Sequence, residues 1–455
     1  MANPPPPYDN ITGISRAAMK DNAQVTLAEY DGTARPGELV VDQATSTVYV
    51  GNALGDLTAV ATPGGATTWA LLGNKTGASG PAAIALGQNA GFDGQANAAI
   101  ALGQYAGQGG QGGAAISIGQ NAGGNTTQGA NAVAIGQSAG YDAQGEAAVA
   151  IGVSAGSITQ GNAAVAIGGA AGDITQGTYA IAVGFGAGAN TQSESAVAIG
   201  AGAGNDTQGT YAIAVGFGAG DIIQGNAAVA IGVEAGKNTQ SESAVAIGAN
   251  AGYNTQGANA VAIGQSAGQT TQGIAAVAIG SLAGNDTQGN AAVAIGDSAG
   301  YDTQGIGAVA IGSLAGSDTQ GIGAVAIGDS AGEVTQGGFA VAIAESAGAD
   351  TQGAGAVAIG NAAGNDTQGT SAVAIGVGAG QISQGIQAIA IGGGAGSNNQ
   401  GNNSIILNAT GSALNQTTAN TFTVKPVRNG GSSGLPAGFY QMAYNPTTGE
   451  IVYYT

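Results

Sequence analysis

The sequence predicts an all-β protein: a parallel β-solenoid, or β-roll, of about 20 sixteen-residue coils, closed at each end by a small β-rich cap. Three observations lead there. A glycine closing an "AVAIG" segment recurs every 16 residues, glycine makes up 88 of 455 residues, and no stretch shows the 3.6-residue apolar period of a helix. The chain divides accordingly into an N-terminal region (1–80), a repeat shaft (81–403) and a C-terminal region (404–455).

The N-terminal region opens on Pro4–Pro7, which by composition is a stiff extended tether and a candidate docking peptide. Further on, Gly37-Glu38-Leu39-Val40-Val41-Asp42, a polar turn and Thr47-Val48-Tyr49-Val50-Gly51 read as a β-hairpin. Gly73-Asn74-Lys75-Thr76 lacks the glycine and upstream spacing of a phosphate loop and is set aside.

The repeat begins next. Its closing glycine falls at 87, 103 and 119, slips by one residue, then returns from 136 to 392, with Ala344 as the one replacement. Counting from Asn131, position 2 is always Ala, position 3 Val or Ile, position 4 Ala except Ser117, and positions 9 and 10 Ala-Gly. Position 14 is Gln in every unit. Positions 1, 7, 8, 11, 12 and 16 vary. A short β-branched segment followed by glycine corners is a strand–turn–strand coil, since Gly takes positive φ at low cost and Val and Ile suit a pleated surface. Stacked at strand spacing, the coils make a rod on the order of 100 Å long. Stacking also aligns Gln144, Gln160, Gln176, Gln192 and Gln208 into an amide ladder.

Alternation along the strand predicts two faces. Val133, Ile135, Val149 and Ile151 are assigned to the coil core, and Ala132, Ala134, Ala148 and Ala150 to a face packed on neighbouring chains. Neither face drifts in sequence, although six other positions do. The alternative to constraint is recent duplication that has not yet diverged, which the recurrence of residues 178–188 at 210–220 and of 190–201 at 238–249 supports. A sixteen-residue coil rich in glycine loses more conformational entropy than two branched side chains offset, so an intertwined or side-by-side oligomer is expected. Beyond the shaft, Ser404-Ile405-Ile406-Leu407-Asn408 keeps the beat in degenerate form and reads as a terminal cap.

Composition narrows the chemistry. With no Cys or His there is no disulfide, thiol nucleophile or imidazole centre. Net charge is −19, and residues 81–403 hold 18 acids against a single base, Lys237. Nucleic acid and anionic membranes are therefore disfavoured partners. The N-terminus lacks a signal-peptide pattern, and the longest apolar run, 179–189, falls short of the ~20 residues that span a bilayer. No unit assembles an acid, a base and a nucleophile, so neither an enzyme nor a cofactor is expected.

Three surface features remain. Asp286, Asp302 and Asp318 stack at position 12 as a weak metal candidate, against the plainer reading of a solvated acidic edge. The column Thr159, Thr175, Thr191 and Thr207 is either a flat ice-facing array or a ladder satisfying turn backbone. Phe185, Phe217, Tyr141, Tyr253 and Tyr301 are candidate glycan contacts or merely scattered surface aromatics.

The segment Ala244-Val245-Ala246-Ile247-Gly248-Ala249-Asn250-Ala251-Gly252 resembles the head repeat of trimeric autotransporter adhesins of the YadA-head type. That resemblance covers 81–403 and implies a trimeric, left-handed parallel β-roll. The period of 16 is longer than that family's usual coil. The flanking hairpin and the run from Tyr444 to Tyr453 are similar to the ends of fibre proteins of phages and of giant and algal viruses. The resemblances together imply a homotrimeric structural fibre on a virion surface. Its N-terminal region would hold the particle, and the shaft or tip would meet a host receptor or glycan. The alternatives are a bacterial or cellular surface adhesin, and an ice-binding or extracellular matrix solenoid.

Overall fold

A computed structural model gives the structure of residues 80–427 and the backbone of five further strands, Leu39–Asp42, Thr47–Gly51, Leu57–Ala61, Gln441–Tyr444 and Ile451–Tyr454. The first three of these form an antiparallel sheet in chain order, with Leu39 opposite Val50. The last two form an antiparallel pair in which Tyr444 meets Ile451. Pro4–Pro7 and Gly73–Thr76 lie outside the described residues.

The fold is an all-β parallel solenoid, and the described residues contain no helix. It divides into two compact units, Met1–Thr270 and Thr271–Thr455. In the first, three-residue strands from Ile84–Leu86 to Val261–Ile263 stack in parallel, each in register with the strand one coil away: Val149 on Val165, Ala150 on Ala166, Ile151 on Ile167. A second stack of two-residue strands runs from Ala143–Gln144 to Thr255–Gln256, with Thr159 on Thr175 and Gln160 on Gln176. The second unit repeats the plan, from Val277–Ile279 to Ile389–Ile391 and from Thr271–Gln272 to Asn398–Gln400.

The corners depend on glycine at two positions. Gly152 closes its strand with φ +132°, and a Cβ there would lie 2.5 Å from the carbonyl oxygen of Gly168 in the next coil. Gly140 has φ +54°, and a Cβ there would lie 2.7 Å from Gln144 Oε1 inside the coil. One position is excluded by backbone and the other by the coil's own filling. The single extra residue between Gly119 and Gly136 is absorbed at the corner before Gln128, which keeps its place against Gln111.

Which face points inward is the reverse of the sequence expectation. Ala132, Ala134, Ala148 and Ala150 are completely buried within their own chain, whereas Val133, Ile135, Val149 and Ile151 are only half-buried and point outward. The reason is the width of the coil. Gln144 Nε2 reaches across from the short strand to the carbonyl oxygen of Val133 on the longer one, at 2.8 Å. A single amide side chain thus spans the interior, and the space left over in the repeat coils is filled by the methyls of positions 2, 4 and 9, with the Ser117 hydroxymethyl as the exception. Branched side chains would overfill it.

At the far end Ile405–Asn408 continues the longer stack, with Ile406 on Ala390. Ile406 is fully buried where the other coils place Ala, and Phe422–Lys425 pairs onto this last rung. Asn408 Nδ2 closes the corner by donating to the carbonyls of Gly393 and Ser412, both at 2.7 Å.

Candidate interaction faces of the coil

The glutamine column is a continuous hydrogen-bonded ladder inside each unit. Gln144 donates to Gln160, Gln160 to Gln176, Gln176 to Gln192 and Gln192 to Gln208, each Nε2 to Oε1 at 3.1 Å. Every Nε2 also meets the carbonyl of the facing strand, as Gln160 does at Val149 (2.7 Å). These glutamines are essentially inaccessible, so the ladder is structural and offers nothing to a ligand. Where Ser117 replaces the inward Ala, its hydroxyl joins the ladder, donating to Gln128 Oε1 at 2.9 Å and accepting from Gln111 Nε2 at 3.0 Å.

Outside lies a stripe of branched residues at positions 3 and 5. Ile167, Ile199 and Ile231 are about two-fifths exposed (38%, 41% and 39%), with Val165, Val197 and Val229 half-buried beside them. Large apolar side chains aligned over successive coils form a surface of the kind that marks association. The shorter stack carries exposed Thr159, Thr175, Thr191 and Thr207 on its outer side, in register above one another.

Position 12 differs along the chain. Asn190 Nδ2 donates to Asp206 Oδ1 (2.6 Å) and Asn238 Nδ2 to Asn254 Oδ1 (2.8 Å), so amide rungs occupy the column there. Asp286, Asp302 and Asp318 lie exposed on consecutive rungs, and burial together with the charges of Asp318 and Asp286 raises the Asp302 carboxyl above the usual range. Among the described residues no group of three or more acidic side chains converges to hold a metal ion.

The aromatic candidates separate. Phe185 and Phe217 project into solvent, whereas Tyr141, Tyr253 and Tyr301 are half-buried. Lys237 pairs with Glu234 at 2.6 Å and sits 5.4 Å from the Tyr253 ring centre. Its hydrogen bond to Glu234 raises the Lys237 pKa. Nearby, burial raises the Asp221 carboxyl, with Lys237 opposing and Asp206 and Glu234 adding. Asp173 is likewise raised by burial, partly offset by a hydrogen bond from Ser157.

The alternation of faces, read with the wrong sign, concealed the branched stripe as a surface. The cleft between Phe185 and Phe217 was also missed as a unit, although the apolar run at position 7 from Val153 to Ala249 signals it.

These features define the chain as a parallel β-solenoid with a dry amide-and-alanine interior and an apolar outer stripe. Comparison with protein-family models, curated proteins and solved structures finds no match.

Proposed function

We propose that this chain is a non-catalytic structural fibre protein, a homotrimer on a virion surface that serves host attachment, with its N-terminal region (1–80) holding the particle. The observation that carries the reading is the outward Val/Ile stripe. A solenoid that works alone gains nothing from repeating half-exposed branched residues in coil after coil, because each leaves apolar area in water at ~25 cal/mol per Å². Packing the stripe of one copy on that of another removes this area. It also supplies the burial that a narrow alanine interior lacks. The sister chains therefore meet through Val165, Ile167, Val197 and Ile199 and their equivalents, and the alanines take no part.

Mass measurement by sedimentation tests it. The full chain is expected at three times its monomer mass, and Ile199→Glu with Ile231→Glu is expected to release monomers that keep their β circular dichroism. A wild-type monomer would remove the fibre reading.

A second reading rests on the exposed threonine column, whose flat, regular hydroxyls suit an ice lattice. Thermal hysteresis in the native chain, lost in Thr175→Lys/Thr191→Lys, would favour it.

A further inference from the structure

The residue that follows the strand-closing glycine forms its own column. Over seven consecutive coils it is apolar: Val153, Gly169, Phe185, Ala201, Phe217, Val233, Ala249. Farther along, the same column turns polar and acidic, with Gln265, Asp297, Asp329 and Glu345. Within the apolar stretch large and small residues alternate from Val153 to Phe217; the Phe185 ring lies against Gly169, where an added Cβ would sit 3.3 Å from it, and a notch opens on its other side, over Ala201.

This notch lies between Phe185 and Phe217. Gly202 N donates to Phe185 O (2.9 Å) and Gly218 N to Ala201 O (3.0 Å), so the two phenylalanines stand two rungs apart. Ala201 and Gly202 floor the gap, and a Cβ added to Gly202 would meet nothing within 4 Å. The cavity measures about 340 Å³, within the range of small-molecule sites. Phe185 is 74% exposed and Phe217 61%. Polar groups line one side. Asn205 Nδ2 is held by Gly186 O at 3.0 Å, which orients its amide, and Asp221 and Glu234 follow on the next rungs.

Two strand spacings separate the backbones of Phe185 and Phe217 by ~9.6 Å. That is close to the two-sugar repeat of an extended β1,4-linked pyranose chain, in which every second ring presents the same face. Pyranose C–H faces stack on phenyl rings, and their hydroxyls suit amide and carboxylate acceptors. Charge selects further. Asp221 lies among the charges of Lys237, Asp206 and Glu234, and the one cation of the three, Lys237, is already paired with Glu234. Uronates and sialylated glycans would be repelled.

We propose that the cleft between Phe185 and Phe217 binds an uncharged β1,4-linked polysaccharide, with sugar rings stacked on the two phenyl groups and hydroxyls held by Asn205, Asp221 and Glu234. This names the ligand class of the attachment reading and takes its biological setting from it, while its chemistry stands on the cleft alone.

Titration calorimetry on the full chain tests it, with cellohexaose and chitohexaose as probes and a β1,4-linked mannuronate oligomer as the charged counterpart. At least one neutral hexaose is expected to bind and the mannuronate is not. Phe185→Ala/Phe217→Ala is expected to weaken binding about tenfold or more, as two stacking contacts imply. Phe339→Ala, which removes an exposed ring elsewhere, is expected to leave it unchanged. Circular dichroism and sedimentation of each variant keep folding and assembly in view. No binding of either hexaose, equal binding by the double variant, or a double variant that loses its oligomer instead would overturn the proposal. A trimer that binds no sugar loses this site and keeps the fibre reading, whereas a monomer that binds hexaose through the two rings does the reverse.

Discussion

Gln208 donates from Nε2 to Gln224 Oε1 at 3.1 Å while its own Oε1 accepts from Gln192 Nε2 at 3.1 Å. The same Nε2 also reaches Val197 O at 2.7 Å. One amide thereby ties three consecutive coils together and fixes the gap between the two strand stacks. Replacing it with an apolar side chain leaves several buried groups without partners. Gln208→Leu is expected to cost about 2–4 kcal/mol, at ~1–3 kcal/mol per stranded group. Denaturant unfolding measures this, and hydrogen exchange is expected to open first in the coils flanking 208.

Gln208→Glu tests the same rung through pH. Burial raises the pKa of a carboxyl placed there, so the folded state holds its proton more tightly than the unfolded chain. Stability is then intact below the unfolded glutamate value of about 4.3 and falls as pH rises through the raised one. The variant is expected to melt near the wild-type temperature at pH 3.5 and well below it at pH 7. An equal deficit at both would mean that the interior is wet.

Ala214 and Ile213 are neighbours with opposite tolerance. Ala214 is fully buried, and Ile213 is 36% exposed. Ala214→Leu overfills the coil and is expected to cost about 1–3 kcal/mol or more. Ile213→Leu is expected to stay within about 0.5 kcal/mol in the isolated chain. Comparing the two unfolding midpoints checks the orientation of the strand directly.

Ala344 stands where every other unit has glycine and is held at φ +102°. L-residues are strained there. Ala344→Gly is expected to stabilise the second unit by about 1 kcal/mol, net of the extra entropy of glycine. A rise in the unfolding midpoint of that unit is the readout, and no change would mean that the corner has relaxed around the methyl.

Asp302 lies between Asp286 and Asp318, and its pKa is raised by burial and then by both neighbours. A carboxyl held above its unfolded value destabilises the fold increasingly as pH rises from about 3.9 through the raised value, and by a constant amount above it. Asp302→Asn is expected to stabilise by a few tenths of a kcal/mol at pH 7, the scale of an exposed like-charge pair. The gain is expected to vanish below pH 3.5. Calcium that raised the wild-type midpoint but not the variant's would restore the metal reading of this column.

Much of the coil was legible before the structure. The 16-residue beat placed the strands, the corner glycines and the glutamine column, because each coil imposes the same backbone demands on the same position. The cap was half legible: the beat through Ile405 was visible, but the burial of Ile406 in an alanine slot was not. The position-7 cleft was not seen as a unit, since Phe185 and Phe217 are 32 residues apart in sequence and become neighbours only through stacking.

The repeat alone determined that strands such as Val165–Ile167 exist, that they stack in register and that they carry two unlike faces. It did not determine which face is dry. Alternation is blind to sign, and the usual weighting of branched over small side chains pointed the wrong way. Only the closed coil decided it. Where one glutamine amide spans the gap, as from Gln176 to the carbonyl of Val165 at 2.8 Å, the repeat coils keep room for little more than methyl groups, so their valines and isoleucines face out.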